Sequence, residues 1–138
     1  MEHLTTSYVI NQSHLSSLLL QQKDLIFDNP SPYYLVIYSL TAQFMKIIIY
    51  PVKTLPIRKY LISGKQIQHE SLEELLNHLS NKDCIIVHTS GIIYKDNCFF
   101  YEIYFTGLDS ANLAYVSKKI TQISGIDFLH DSIIRVKE

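Results

Sequence analysis

This chain has no tryptophan, only four glycines, two cysteines and two arginines, and neither charge sign is in excess. Each shortage excludes a class of chemistry. The glycines, Gly64, Gly91, Gly107 and Gly125, stand far apart. No phosphate-cradling loop or dinucleotide fingerprint can be built from them, because both need several unhindered backbone amides in one turn. With only Cys84 and Cys98 there is no disulfide framework, and Cys-x-x-Cys and His-Glu-x-x-His zinc spacings are both missing. The arginines are Arg58 and Arg135, and the net charge is −1. A nucleic-acid surface concentrates Lys and Arg on one face, and the loose set Lys53, Arg58, Lys59 and Lys65 does not reach that density. No apolar run approaches the ~20 residues of a membrane-spanning helix. Met1-Glu-His-Leu-Thr-Thr6 lacks the basic start and apolar stretch of a secretory leader, which predicts a cytoplasmic protein.

What is present is enough to fold. The 138 residues are 47% hydrophobic and 18% charged, which suits one domain, 1–138, with a buried core. Ten tyrosines and six phenylalanines favour a sheet-rich interior, since aromatic and β-branched side chains pack well on a pleated surface. They also leave amphipathic rings for contacts.

The third quarter carries the most information. Cys84-Ile-Ile-Val-His-Thr89 and Cys98-Phe-Phe-Tyr-Glu-Ile-Tyr-Phe-Thr106 flank a polar Lys95-Asp96-Asn97 break, so a long hairpin is expected, with Tyr94 opposite Cys98. Ser90-Gly91 reads as a bend or bulge. Cys84 then lies at the far end from Cys98, beyond the ~7 Å Cα separation of a disulfide, and two free thiols are expected. Asp109 opens an amphipathic helix with Leu113, Val116, Ile120 and Ile123 on one side and Gly125 as its stop.

Upstream, Tyr8-Val9-Ile10 suggests a short edge strand, and Ser13 caps a helix to about Gln22. Asp28-Asn-Pro-Ser-Pro32 breaks the chain. Tyr33–Leu40 and Phe44–Tyr50 read as a hairpin around Thr41-Ala42-Gln43, with Pro51 as its end. Both strands are nearly all apolar, implying burial on both faces or one face kept for a partner. Arg58–Ile62 is a third strand, ending near Gly64. Ser71-Leu-Glu-Glu74 reads as a capping box opening a helix with Leu72, Leu75, Leu76 and Leu79 inward. Residues 132–136 suggest a last short strand. The expected class is α+β: an antiparallel sheet of about five to six strands in the order α-β-β-β-α-β-β-α, with a final β optional.

No catalytic, metal or cofactor site emerges, so a non-enzymatic protein is expected. The six histidines show no ligand spacing. Cys84 and His88 lie four strand residues apart, ~13 Å at 3.3 Å each, whereas a nucleophile and its base must meet at about 3 Å. Glu102 interrupts the run Phe99–Phe105. Alternation sets Phe100, Glu102 and Tyr104 on one face and Phe99, Tyr101, Ile103 and Phe105 on the other. The first set predicts a half-exposed aromatic face suited to contacts.

Two family resemblances follow. Over about residues 13–125 the element order, Thr54-Leu55-Pro56, Leu72-Glu-Glu-Leu-Leu76, the 84–106 hairpin and Gly107-Leu108-Asp109 resemble the small dimeric effector chaperones of bacterial type III secretion. That likeness implies a cytoplasmic homodimer holding an extended segment of a secreted effector along apolar grooves. Residues 8–80 resemble a Src homology two phosphopeptide-binding module, with Leu15–Leu20, Tyr34-Leu-Val-Ile-Tyr38 and Ser71–Leu76 in its helix–strand–helix positions. No arginine stands near Phe27-Asp28, where phosphate would be gripped. The expected role is protein binding through Tyr33, Tyr38, Phe44, Ile48, Tyr50, Phe100 and Tyr104, by strand addition or apolar grooves, with a homodimer covering surplus apolar surface. An immunity or antitoxin-type inhibitor is the alternative, using Glu70, Glu73, Glu74 and Asp83 as an acidic patch.

Overall fold

A computed structural model describes residues 4–18, 31–80 and 82–137. Among the described residues the chain is α+β: seven strands in two antiparallel sheets, with three α-helices. The described residues gather into two compact units, one from 1–57 with 134–138 and the other from 58–133.

In the first unit, strands β1 (Thr6–Asn11), β2 (Tyr33–Leu40) and β3 (Met45–Val52) form a sheet in that order. The expected hairpin is present, in a register pairing Leu40 with Met45 and Tyr33 with Val52. Thr41 sets the turn: its hydroxyl oxygen accepts from the amides of Gln43 (3.3 Å) and Phe44 (3.1 Å), which holds the chain in a tight polar loop. The central strand is buried on both faces through Tyr34, Leu35, Val36 and Ile37. Ile10, Leu15, Tyr34 and Val36 cluster on one of those faces. Pro51 does not end β3 but lies within it, opposite Tyr34. An outer strand tolerates proline, because one side of its ladder needs no N–H.

Helix α1 (Gln12–Leu18) follows directly on β1, and its cap is Asn11 rather than Ser13. The Asn11 side-chain oxygen accepts from the His14 amide (3.1 Å) and the Ser13 hydroxyl (2.7 Å), so Asn11 is the capping residue. The expected course of this helix past Leu18, the Asp28–Pro30 break and the Phe27-Asp28 phosphate position lie outside the described residues. The tail returns to β1: the Val9 amide donates to the Arg135 carbonyl (2.9 Å) and the Lys137 amide to that of Val9 (2.7 Å).

The second unit runs β4 (Arg58–Lys65), α2 (His69–Ser80), β5 (Ile85–Tyr94), β6 (Cys98–Thr106), α3 (Ser110–Thr121) and β7 (Ile126–Ile133). Its sheet order is β5-β6-β4-β7, the split β-α-β-β-α-β arrangement of ferredoxin-like folds. Tyr60, Ile62, Phe99, Ile103 and Phe105 pack against Leu75 and Leu79 of α2 and Val116, Ile120 and Ile123 on the α3 side.

Tyr94 does pair with Cys98, and both cysteines are free thiols. The hairpin turns on Asp96 and Asn97, both left-handed (φ 62° and 57°), as short polar side chains allow. The irregularity in β5 falls between Ile86 and His88, not at Ser90-Gly91. Gly91 serves a different purpose: a Cβ there would sit 2.6 Å from the Tyr101 ring. Ser71 lies inside α2, which starts two residues earlier. Its amide donates to the Gln68 carbonyl (3.0 Å). Asp109 caps α3 as expected, accepting from the Asn112 amide at 2.7 Å. The last strand is 126–133 rather than 132–136, because β7 is chosen by its ladder to β4 and not by its own apolar pattern.

Candidate functional site

Three features stand out, beginning with the free end of the β2–β3 hairpin. Register sets Tyr38 opposite Ile47 and Leu40 opposite Met45, so all four share a face. Leu40 is 76% exposed, and Phe44, Met45 and Ile47 are each more than half exposed. Tyr38 is half-buried and meets the Tyr8 ring edge-on, at 6.2 Å between centroids. The result is a contiguous patch of large exposed apolar side chains at one end of the sheet.

The seven residues expected to bind a partner divide between the units. Phe44 and Tyr38 belong to this hairpin end. Tyr33, Ile48 and Tyr50 are half-buried farther along the hairpin, with Ile48 and Tyr50 opposite Ile37 and Leu35 on the other face. Phe100 and Tyr104 stand in the second unit. Tyr104 is fully buried, where alternation predicted a half-exposed face. Leu40, Met45 and Ile47 were missed. The short Thr41–Phe44 loop held the signal, since it fixes Leu40 opposite Met45.

The second feature is polar and lies on the face of the second sheet away from α2 and α3. Lys59 Nζ sits 2.7 Å from Glu102 Oε2, with side chains 5% and 0% exposed. The same ammonium lies 5.2 Å from the centre of the Tyr104 ring. On β5, His88 Nε2 and Ser90 Oγ are 2.8 Å apart. On the opposite face, the one that carries Tyr60 and Phe105, Arg58 Nη1 donates to Asp131 Oδ2 at 3.0 Å. Two members of the loose basic set are therefore neutralised by carboxylates.

Cys84, the one thiol near His88 in sequence, packs against the helix-side core instead. Burial pushes the Cys84 thiol up to about 11, so it stays protonated at neutral pH, and thiol rather than thiolate is a poor nucleophile. Burial likewise raises the Tyr60 phenol to about 12, although its oxygen lies 2.7 Å from Ser117 Oγ. Among the described residues no three or more His, Cys, Asp or Glu side chains converge on a metal-sized site. Of the acidic patch, Glu73 pairs with His69 (3.1 Å) and Glu74 with His78 (3.6 Å), all within α2.

The third feature is β5, an outer strand of the second sheet, with Ile85, Ile92, Ile93 and Tyr94 exposed.

No family model matches this chain, and no curated protein matches it. In fold the chain is similar to the C-terminal domain of the MgtC protein from Mycobacterium tuberculosis, at 10% identity over 61% of this chain and 93% of that one, with a TM-score of 0.53. It is also similar to the ACT domain from GTP pyrophosphokinase of Chlorobium tepidum, at 15% identity over 57% of this chain and all of that one, with a TM-score of 0.48. At these identities the likeness is one of fold alone. Among the described residues no helix is long and apolar enough to cross a membrane.

Proposed function

We propose that this chain is a non-enzymatic protein-binding domain that holds an extended segment of another protein along β3. The observation that carries this reading is the exposed end of the β2–β3 hairpin, where Leu40, Phe44, Met45 and Ile47 gather beside the outer edge of a sheet. An extended segment adds main-chain hydrogen bonds to such an edge and seats alternate side chains on the exposed apolar residues. The other edge of the same sheet already accepts extended chain in this way: residues 135–137 bond to Val9 of β1. Lys46 and Pro51 moderate the β3 edge, which suits reversible capture better than permanent assembly. The mode agrees with what the secretion-chaperone resemblance implies, and the site of action it implies is the cytoplasm.

The test is selection of linear peptides displayed on phage, followed by amide exchange with the best binder. Slowed exchange at 45–49, abolished by Ile47→Lys, supports the reading. Peptide binding that Ile47→Lys leaves intact overturns it.

A further inference from the structure

We infer that β5 is a self-association edge, and that two copies of this chain pair antiparallel along it into one continuous eight-stranded sheet. β5 is one of the two outer strands of the sheet β5-β6-β4-β7, and β7, the other, carries Asp127 and Asp131. It is ten residues long, Ile-Ile-Val-His-Thr-Ser-Gly-Ile-Ile-Tyr, with no Lys, Arg, Asp, Glu or Pro. Exposed edges of that length are normally blunted by charge, by proline or by brevity, because an unpaired row of N–H and C=O groups templates further pairing. β3 carries two such devices and β5 carries neither. Its one irregularity, beside Val87, lies in the first half of the strand and leaves His88–Tyr94 regular. Ile93 is 72% and Ile85 60% exposed, which is a high apolar exposure for a strand meant to face water.

The occupant that fits is a second copy, and the argument is one of charge. A strand with no charge of its own meets no like-charge repulsion from an identical strand. Lys82-Asp83 precede β5 and Lys95-Asp96 follow it. Antiparallel pairing centred on Thr89 sets Lys82 of one copy opposite Asp96 of the other, and Asp83 opposite Lys95. Each end offers one cation and one anion, so every lysine meets an acid. A two-fold axis perpendicular to the sheet keeps the helices of both copies on one face, and the interface is isologous. This edge belongs to the second unit and does not depend on capture at β3.

The experiment is light scattering on the full chain at ~100 μM, with Ile93→Lys and Ile47→Lys in parallel and circular dichroism confirming that both variants fold. A wild-type mass near twice 16.0 kDa, halved by Ile93→Lys and unchanged by Ile47→Lys, is the expected result. A wild-type monomer overturns the inference. So does a dimer that survives Ile93→Lys, or one lost only with Ile47→Lys, since that association would run through β3.

Discussion

At the scale of single residues, the Lys59–Glu102 pair is the costliest arrangement in the second unit. Both charges have left water, and their mutual contact, hydrogen bonds and the Tyr104 ring beside the ammonium offset the desolvation. Removing one partner strands the other. Glu102→Gln should therefore lower the unfolding free energy by about 3–5 kcal/mol, whereas Lys59→Met with Glu102→Leu should recover most of that loss. Urea titration of the three proteins checks this. Glu102 was conspicuous in the sequence as the one charge within an aromatic strand, but its partner was not. Lys59 was grouped with Lys53, Arg58 and Lys65 as a loose basic set, because only the β4–β6 register brings it within reach of Glu102, and register between distant strands is not written locally. The exposed aromatic face assigned to Glu102 and Tyr104 failed for the same reason: alternation tells which residues share a face, not whether that face is covered.

The buried phenol and thiol make stability sensitive to alkali. For both Tyr60 and Cys84 the folded value lies above the unfolded one, about 12 against 10.0 and about 11 against 9.0. The folded state thus holds its protons longer. The stability they contribute is whole below the unfolded values and is lost as pH rises through the window from about 9 to about 12. Tyr60 alone accounts for a fall on the order of 2–3 kcal/mol, since one unit is 1.36 kcal/mol. Chemical denaturation at pH 9.5 and pH 12 should show a smaller drop for Tyr60→Phe than for the native chain. An equal drop in both would refute the assignment.

At the scale of elements, end signals decide how well local reading succeeds. Asp109 was legible because its side chain bonds an amide three residues on, an interaction contained in four consecutive residues. Asp109→Ala should cost about 1 kcal/mol, measurable as a lower midpoint in urea. Ser71 matched an equally local pattern, yet α2 begins earlier, since a helix can start wherever the chain first turns and Gln68 already accepts from Ser71. Gly64 and Gly125 were read as strand and helix stops. Their stronger constraint is mutual: the Lys65 amide donates to the Gly125 carbonyl (2.9 Å), and a Cβ on Gly64 would collide with that same oxygen. Gly64→Ala forces backbone to move where β4 meets β7, and it should cost at least the upper end of the 1–3 kcal/mol typical of overpacking. Gly91→Ala, which meets only the Tyr101 ring, should cost less. A reversed order would show that the β4–β7 junction is the more yielding of the two.

On the scale of the whole chain, the division into two units was invisible in sequence because long-range pairings make it. A reading along the chain meets strands, a helix, strands and a helix, with no linker between them, and one sheet seems sufficient. In the fold, 134–138 return to the first unit while 58–133 close on themselves through β7 pairing back to β4. The two units therefore differ in a way that can be tested. The second is one continuous segment with its own apolar core between sheet and helices, from Tyr60 and Phe105 to Leu79 and Ile120. The first needs two separated segments. Expressed alone, 58–133 should fold and unfold cooperatively, with mixed helix and strand signals in circular dichroism. The segment 1–57 lacks the strand partner that 135–137 give to Val9, and in isolation it should show at most a broad, weakly cooperative transition. A cooperative 1–57 would mean that the returning tail is dispensable to its sheet. A 58–133 fragment without cooperative unfolding would mean that its internal core is too small to stand by itself, and that folding of this chain is decided between the units rather than within them.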